Sequence, residues 1–107
     1  MSVSYHTIYH VKRTDSPGFE EYSDFVVVAL DGYRARRTHP NASEGVYLDE
    51  DTSRWMTRKF SSDGTPLEVK YDGWVDPSKL KDLVVTEIGI AKESQPAGVV
   101  CANFLSG

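Results

Sequence analysis

The chain has 107 residues with 16 acidic and 12 basic side chains, a net charge of −4 and a single cysteine. That length fits one domain with a modest core, and one cysteine excludes an internal disulfide. The acidic balance argues against non-specific attachment to DNA or to an anionic membrane, and apolar runs of about six residues fall far short of the roughly 20 that span a bilayer.

Val3–Lys12 alternates Val3, Tyr5, Thr7, Tyr9 and Val11 with Ser4, His6, Ile8, His10 and Lys12, and predicts a strand. Ser16-Pro17-Gly18-Phe19 has the order of a type II turn, returning the chain antiparallel to the first strand. Phe25–Leu30 is a continuous apolar run, suited to a central strand covered on both faces. Asp31 then offers an N-cap oxygen to a short basic helix carrying Tyr33, Arg34, Arg36 and Arg37, and Pro40 turns His39 out of it.

Asn41–Gly45 reads as a loop and Tyr47–Thr52 holds an acidic run. Trp55–Phe60 and Leu67–Tyr71 flank a Ser62-Asp63-Gly64 hairpin signal, although Arg54–Phe60 also admits a helical reading. Asp76-Pro77 pairs a cap with a first-turn proline for a short turn through Leu83. Val84–Ala91 and Val99–Phe104 predict a closing hairpin around Gln95–Gly98. The sum is a small α+β two-layer sandwich, residues 1–107. It has a mainly antiparallel sheet of about four strands, one basic helix across it, and an inserted hairpin over 44–73.

The chemistry-bearing residues are few. Arg34 and Arg37 are expected to share a helix face, with Arg36 beside Tyr33. Guanidinium forks fit phosphate bidentately. A second basic group, Arg54, Arg58 and Lys59, lies beside Trp55, so rings for a base and guanidinium groups for a charge could form one ligand site that His39 completes. The plainer alternative is a solvated helix face paired with Asp31, Glu44 or the acidic run. His6 and His10 lie about 13 Å apart along an extended strand, too far to share a metal, and the three histidines and Cys101 show no zinc spacing. Asp49–Asp51 lacks the spacing of a calcium loop, and Cys101 reads as a small core residue. No cofactor motif is present.

The strand–helix unit FVVVALDGYRARRTHP, the later VTEIGIA and the closing GVVCANFLSG resemble short accessory proteins of tailed bacteriophages. The likeness covers about half the chain, and residues 44–73 depart from it. No functional residues come with that group. The resemblance implies a viral protein made in a bacterial cytoplasm, consistent with a lone cysteine and no charged-then-apolar leader. It also implies interference with host defence. The expected function is a non-enzymatic binder of a small phosphate-bearing ligand such as a nucleotide immune signal, for which a homo-oligomer would supply concavity. The alternatives are a protein–protein inhibitor acting through an acidic surface or strand edge on a host defence protein, and a phosphodiesterase using His39 or His10.

Overall fold

A computed structural model describes residues 6–60, 62–69 and 73–105, with the side chains of all of these but 58–60. Strands β1 (Thr7–Lys12) and β2 (Glu21–Ala29) form the central hairpin of a four-stranded sheet. Strands β6 (Val84–Ile90) and β7 (Gly98–Leu105) flank it in the order β6-β1-β2-β7, every pair antiparallel. The expected β6–β7 hairpin is therefore replaced by a split: the two strands occupy opposite edges. The split gives both strands of the central hairpin hydrogen-bonded partners on both sides, β6 on the outer side of β1 and β7 on that of β2, where a β6–β7 hairpin against one side would leave the other strand at an edge.

Segment 44–73 contributes a second sheet rather than a hairpin alone. Strands β3 (Val46–Asp49), β4 (Arg54–Phe60) and β5 (Pro66–Glu68) pair antiparallel in chain order. Arg54–Phe60 is thus a strand, and the part of the expected Leu67–Tyr71 strand beyond Val69 lies outside the described residues. Trp55, with Val46, Leu48 and Val69 beside it, packs into the same core as Val11, Phe25, Val27 and Ala29. The second sheet and the basic helix together form the opposing layer of the α+β sandwich.

Helix α1 (Gly32–Arg36) starts as its sequence dictates: the Asp31 carboxylate accepts from the Arg34 amide at 2.8 Å. Its Ala35 is fully buried in the core. A 3-10 helix, Pro77–Asp82, begins the same way, with Asp76 accepting from the Ser78 amide at 3.0 Å, and buries Leu80 against α1 and the sheet.

Among the described residues, one face of the four-stranded sheet carries the core and the other is largely exposed. In the cross-strand row Val85–Val11–Phe25–Ala102, Val11 and Phe25 are buried in the core with Val85 packed against them, while Ala102 at the sheet edge is exposed; Thr86–His10–Val26–Cys101 lies on the opposite face, where Thr86 and Cys101 are exposed. Cys101 is consequently a surface thiol and not the core residue its apolar neighbours suggested. Val28 on that second face is nevertheless buried, so the central strand is only partly two-sided. The turn before β2 also differs from expectation: Glu20, not Gly18, takes the left-handed conformation at φ 58°, and the Glu21 carboxylate holds the Gly18 amide at 2.6 Å. Among the described residues no helix is long and apolar enough to cross a membrane.

Candidate functional site

Helix α1 is five residues long, so its arginines diverge and find separate partners. Arg34 turns back on Asp31, with Nη1 at 2.5 Å from the carboxylate. Arg36 reaches the far element: its Nη1 donates to the Leu80 and Leu83 carbonyls, each at 2.7 Å. Those carbonyls lie in and just after the last turn of the 3-10 helix, and the Leu80 carbonyl, which also accepts from the Leu83 amide at 3.2 Å, takes Arg36 as a second donor. Arg36 therefore clamps Pro77–Asp82 to α1.

Arg37, not Arg36, pairs with Tyr33. Its guanidinium carbon sits 3.6 Å from the ring centroid, its Nη1 donates to the Tyr33 carbonyl at 3.3 Å, and its Nε is 3.6 Å from Glu50. The i, i+4 spacing brings this pair onto one face. Tyr33 is exposed, and its ring steadies Arg37 at the mouth of a groove.

That groove, of about 550 Å³, runs between α1, the β3–β4 turn and the 3-10 helix. Its charged lining is Arg36, Arg37 and Lys81 against one carboxylate, Glu50, with Ser53 and Ser78 supplying hydroxyl groups. A second groove, of about 310 Å³, shares Ser53 and Pro77 with the first and is lined by Arg54, Trp55, Glu68, Trp74 and Asp76. Ser53 takes a left-handed φ of 56°, a conformation costly for a residue with a Cβ. Its amide bonds the Asp49 carbonyl at 2.7 Å, closing the turn that separates the two grooves.

The expected site residues thus divide. Arg36 and Arg37 meet at the first groove, while Arg54 and Trp55 meet at the second. Arg54 is paired with Glu68 at 3.3 Å. Arg34 lines a different, largely apolar depression with Leu30, Ala97 and Gly98. The Arg58 side chain lies outside the described residues.

Two expected ligand groups are corrected. His39 has 0% of its surface exposed, with its ring edge-on to Trp55 at 4.9 Å and its Nδ1 accepting from the Asn41 amide at 2.9 Å. No ligand reaches it. Trp55 is 3% exposed and donates its indole N–H to the Val75 carbonyl at 2.8 Å, so it anchors the second sheet rather than offering an open stacking face.

Lys81, Ser53 and Ser78 escaped the sequence reading. The one signal for Lys81 was its place in the capped Asp76–Leu83 turn, which says nothing about the helix it would face.

A separate polar set lies away from both grooves. His10 Nε2 is 2.7 Å from an Asp24 carboxylate oxygen, while the other oxygen accepts from Ser23 at 2.5 Å and Asn103 at 3.3 Å. Burial pushes the Asp24 carboxyl upward, but the hydrogen bonds from Ser23, His10 and Asn103 outweigh it and leave the pKa below the ordinary value. Arg13, buried beneath the turn before β2, holds Asp15 through Nε at 2.5 Å and Nη2 at 2.8 Å, chiefly by that hydrogen bonding lowering the Asp15 pKa. Both sets brace the sheet.

Compared with protein-family models, with curated proteins and with solved structures, the chain matches none.

Proposed function

We propose that this protein binds a small phosphate-bearing ligand in the groove between α1 and the 3-10 helix, and holds it without converting it. The observation that carries this reading is the meeting of Arg36, Arg37 and Lys81 on one groove of about 550 Å³ that has a single carboxylate. In a chain of net charge −4, such a concentration of cations is a local departure from the average surface. The volume falls within the range of small-molecule sites and suits a ligand of nucleotide size.

Arg36 supports the reading through its preorganisation. The two carbonyls that fix its Nη1 leave the guanidinium plane set before any ligand arrives, so little side-chain entropy is lost on binding. Arg37 is held similarly by the Tyr33 ring, and its contact to Glu50 at 3.6 Å is loose enough for a phosphate oxygen to displace. Lys81 adds an exposed point charge from the opposite wall. Among the described residues of the groove lining, Ser53 and Ser78 have no histidine beside them to activate a hydroxyl, and the one carboxylate, Glu50, faces Arg37 at 3.6 Å, an arrangement that favours capture over acid–base or nucleophilic turnover. In the bacterial setting that the phage resemblance implies, such a binder would withdraw a nucleotide signal from host defence.

Native mass spectrometry against a panel of mono-, di- and cyclic nucleotides tests the proposal. The expected result is a stoichiometric, unmodified nucleotide retained by the wild type and lost from Arg37→Ala/Lys81→Ala, with the melting temperature little changed. Retention by the double variant, or release of a hydrolysed product, would overturn it.

A further inference from the structure

Strand β7, GVVCANFL, is an edge strand without a single charged residue. Among the described residues it has a strand neighbour on one side only, β2. Long uncharged edges are ordinarily blunted by lysine, proline or an inward charge, because their unpaired backbone groups recruit another strand. Here lysine, proline and an inward charge are absent from β7, whose register against β2 shifts between Tyr22 and Asp24 and between Val26 and Val27. Val100 is 59% exposed, and Phe104 and Leu105 are also partly in water. The turn Ala42–Glu44 lies against β7 but leaves Val100–Leu105 exposed.

Both ends of the edge open onto apolar depressions. At the Leu105 end is a groove of about 310 Å³ lined by Pro17, Gly18, Phe19 and Leu105, with Phe19 75% exposed. At the Gly98 end is one of about 320 Å³, lined among others by Val28, Leu30, Ala97 and Gly98.

We infer that β7 pairs antiparallel with β7 of a second copy of this chain, joining the two four-stranded sheets edge to edge. A second copy is the occupant because the edge is self-complementary in two respects. An uncharged strand meets its own copy without like-charge repulsion, although each molecule carries −4. Antiparallel pairing also brings the Phe19–Leu105 end of each protomer to the Leu30–Gly98 end of the other, so an exposed ring meets an apolar depression twice.

Symmetry restricts the register, and an axis near the middle of Gly98–Leu105 keeps the paired length greatest. In an antiparallel pair, hydrogen-bonded and non-hydrogen-bonded residue pairs alternate, so a two-fold axis normal to the sheet must place one residue opposite its own copy. Centring on Cys101 sets Phe104 opposite the partner's Gly98 and Leu105 opposite the partner's Ala97. Cys101 then faces the partner's Cys101 with Cβ atoms about 5 Å apart. The interface is small, so dimerisation is weak and concentration-dependent. It rests on the edge alone and is independent of ligand binding in the groove.

Light scattering after gel filtration at about 100 μM, above the micromolar dissociation constants that small interfaces give, reads the mass. The expected value is twice the 12.0 kDa protomer. Val100→Lys, a change at an exposed position, should halve that mass while leaving the circular dichroism spectrum unaltered. In parallel, a short bismaleimide should cross-link the wild type through Cys101, and Cys101→Ser should abolish the cross-linked band. The cross-link keeps the inference falsifiable should the lysine variant fold poorly. A monomer at every concentration overturns the inference, as does a dimer that survives Val100→Lys and resists cross-linking at Cys101.

Discussion

Replacing Arg36 by Ala should unfasten the 3-10 helix and thereby dismantle one wall of the groove. The guanidinium makes two bonds of 2.7 Å to carbonyls of Leu80 and Leu83, residues that are themselves buried in the core. Hydrogen bonds involving a charged group contribute about 1.5–3 kcal/mol each. Because Arg36 is only half-buried, and water can reach part of the vacated site, the summed range of about 3–6 kcal/mol is discounted by about a third, to about 2–4 kcal/mol. Against a total stability of roughly 5–15 kcal/mol for a domain of this size, that is a large loss. It corresponds to a fall of about 8–16 °C in melting temperature. Urea denaturation followed by the fluorescence of buried Trp55 and Trp74 measures it directly. Arg36→Lys should recover little, since an ammonium on a shorter stem falls short of both carbonyls. A loss below about 1 kcal/mol for the alanine variant, or full rescue by lysine, would refute the clamp.

Other consequences can be checked in the same way. Glu50→Gln removes the one carboxylate in the groove lining and should tighten pyrophosphate binding by about 2–5-fold in calorimetry, the scale of an exposed ion pair. His39→Ala should cost about 2–4 kcal/mol, because it empties a fully buried site against Trp55 and strips the Asn41 amide of its acceptor, yet it should leave the stoichiometry of ligand binding intact. Asp15, Asp24 and Asp76 all have folded-state pKa values below the ordinary 3.8. A depressed carboxylate contributes stability that is complete above the unfolded value and disappears as pH falls through the folded one. The urea midpoint should therefore hold between pH 7 and about 5 and drop below about pH 4. Asp15→Asn/Asp24→Asn should lower the midpoint at pH 7 and flatten the acid limb.

The strand–helix unit was legible because its signals are local. An apolar run of β-branched residues, an Asp31 cap and a proline after His39 lie within 17 residues of one another, and each acts on its immediate neighbours. The second sheet was harder to read. Strands β3 and β5 span only Val46–Asp49 and Pro66–Glu68, and the acidic run at the end of β3 has the composition of a loop. The edge positions of β6 and β7 depend on which side of the β1–β2 hairpin each finds, a choice that the alternation within a strand does not record.

The candidate site shows the same divide. That arginines cluster was plain, but their directions are set by Leu80 and Leu83, more than 40 residues further on, and by Glu50 in the β3–β4 turn. Periodicity placed Arg34 and Arg37 together. A helix as short as α1 lets side chains splay to whatever partner the tertiary fold supplies, and Arg34 settled on its own N-cap. His39 followed from the same limit. Polar in composition, it is buried because Trp55 arrives from β4 to cover it.

A 31P titration of pyrophosphate with the wild type and with Arg37→Ala/Lys81→Ala addresses the groove most directly. The account predicts saturable one-to-one shifts for the wild type at low salt, weakening as salt rises, and none for a double variant that remains folded. Equal shifts in both proteins, or no saturable shift in either, would contradict it.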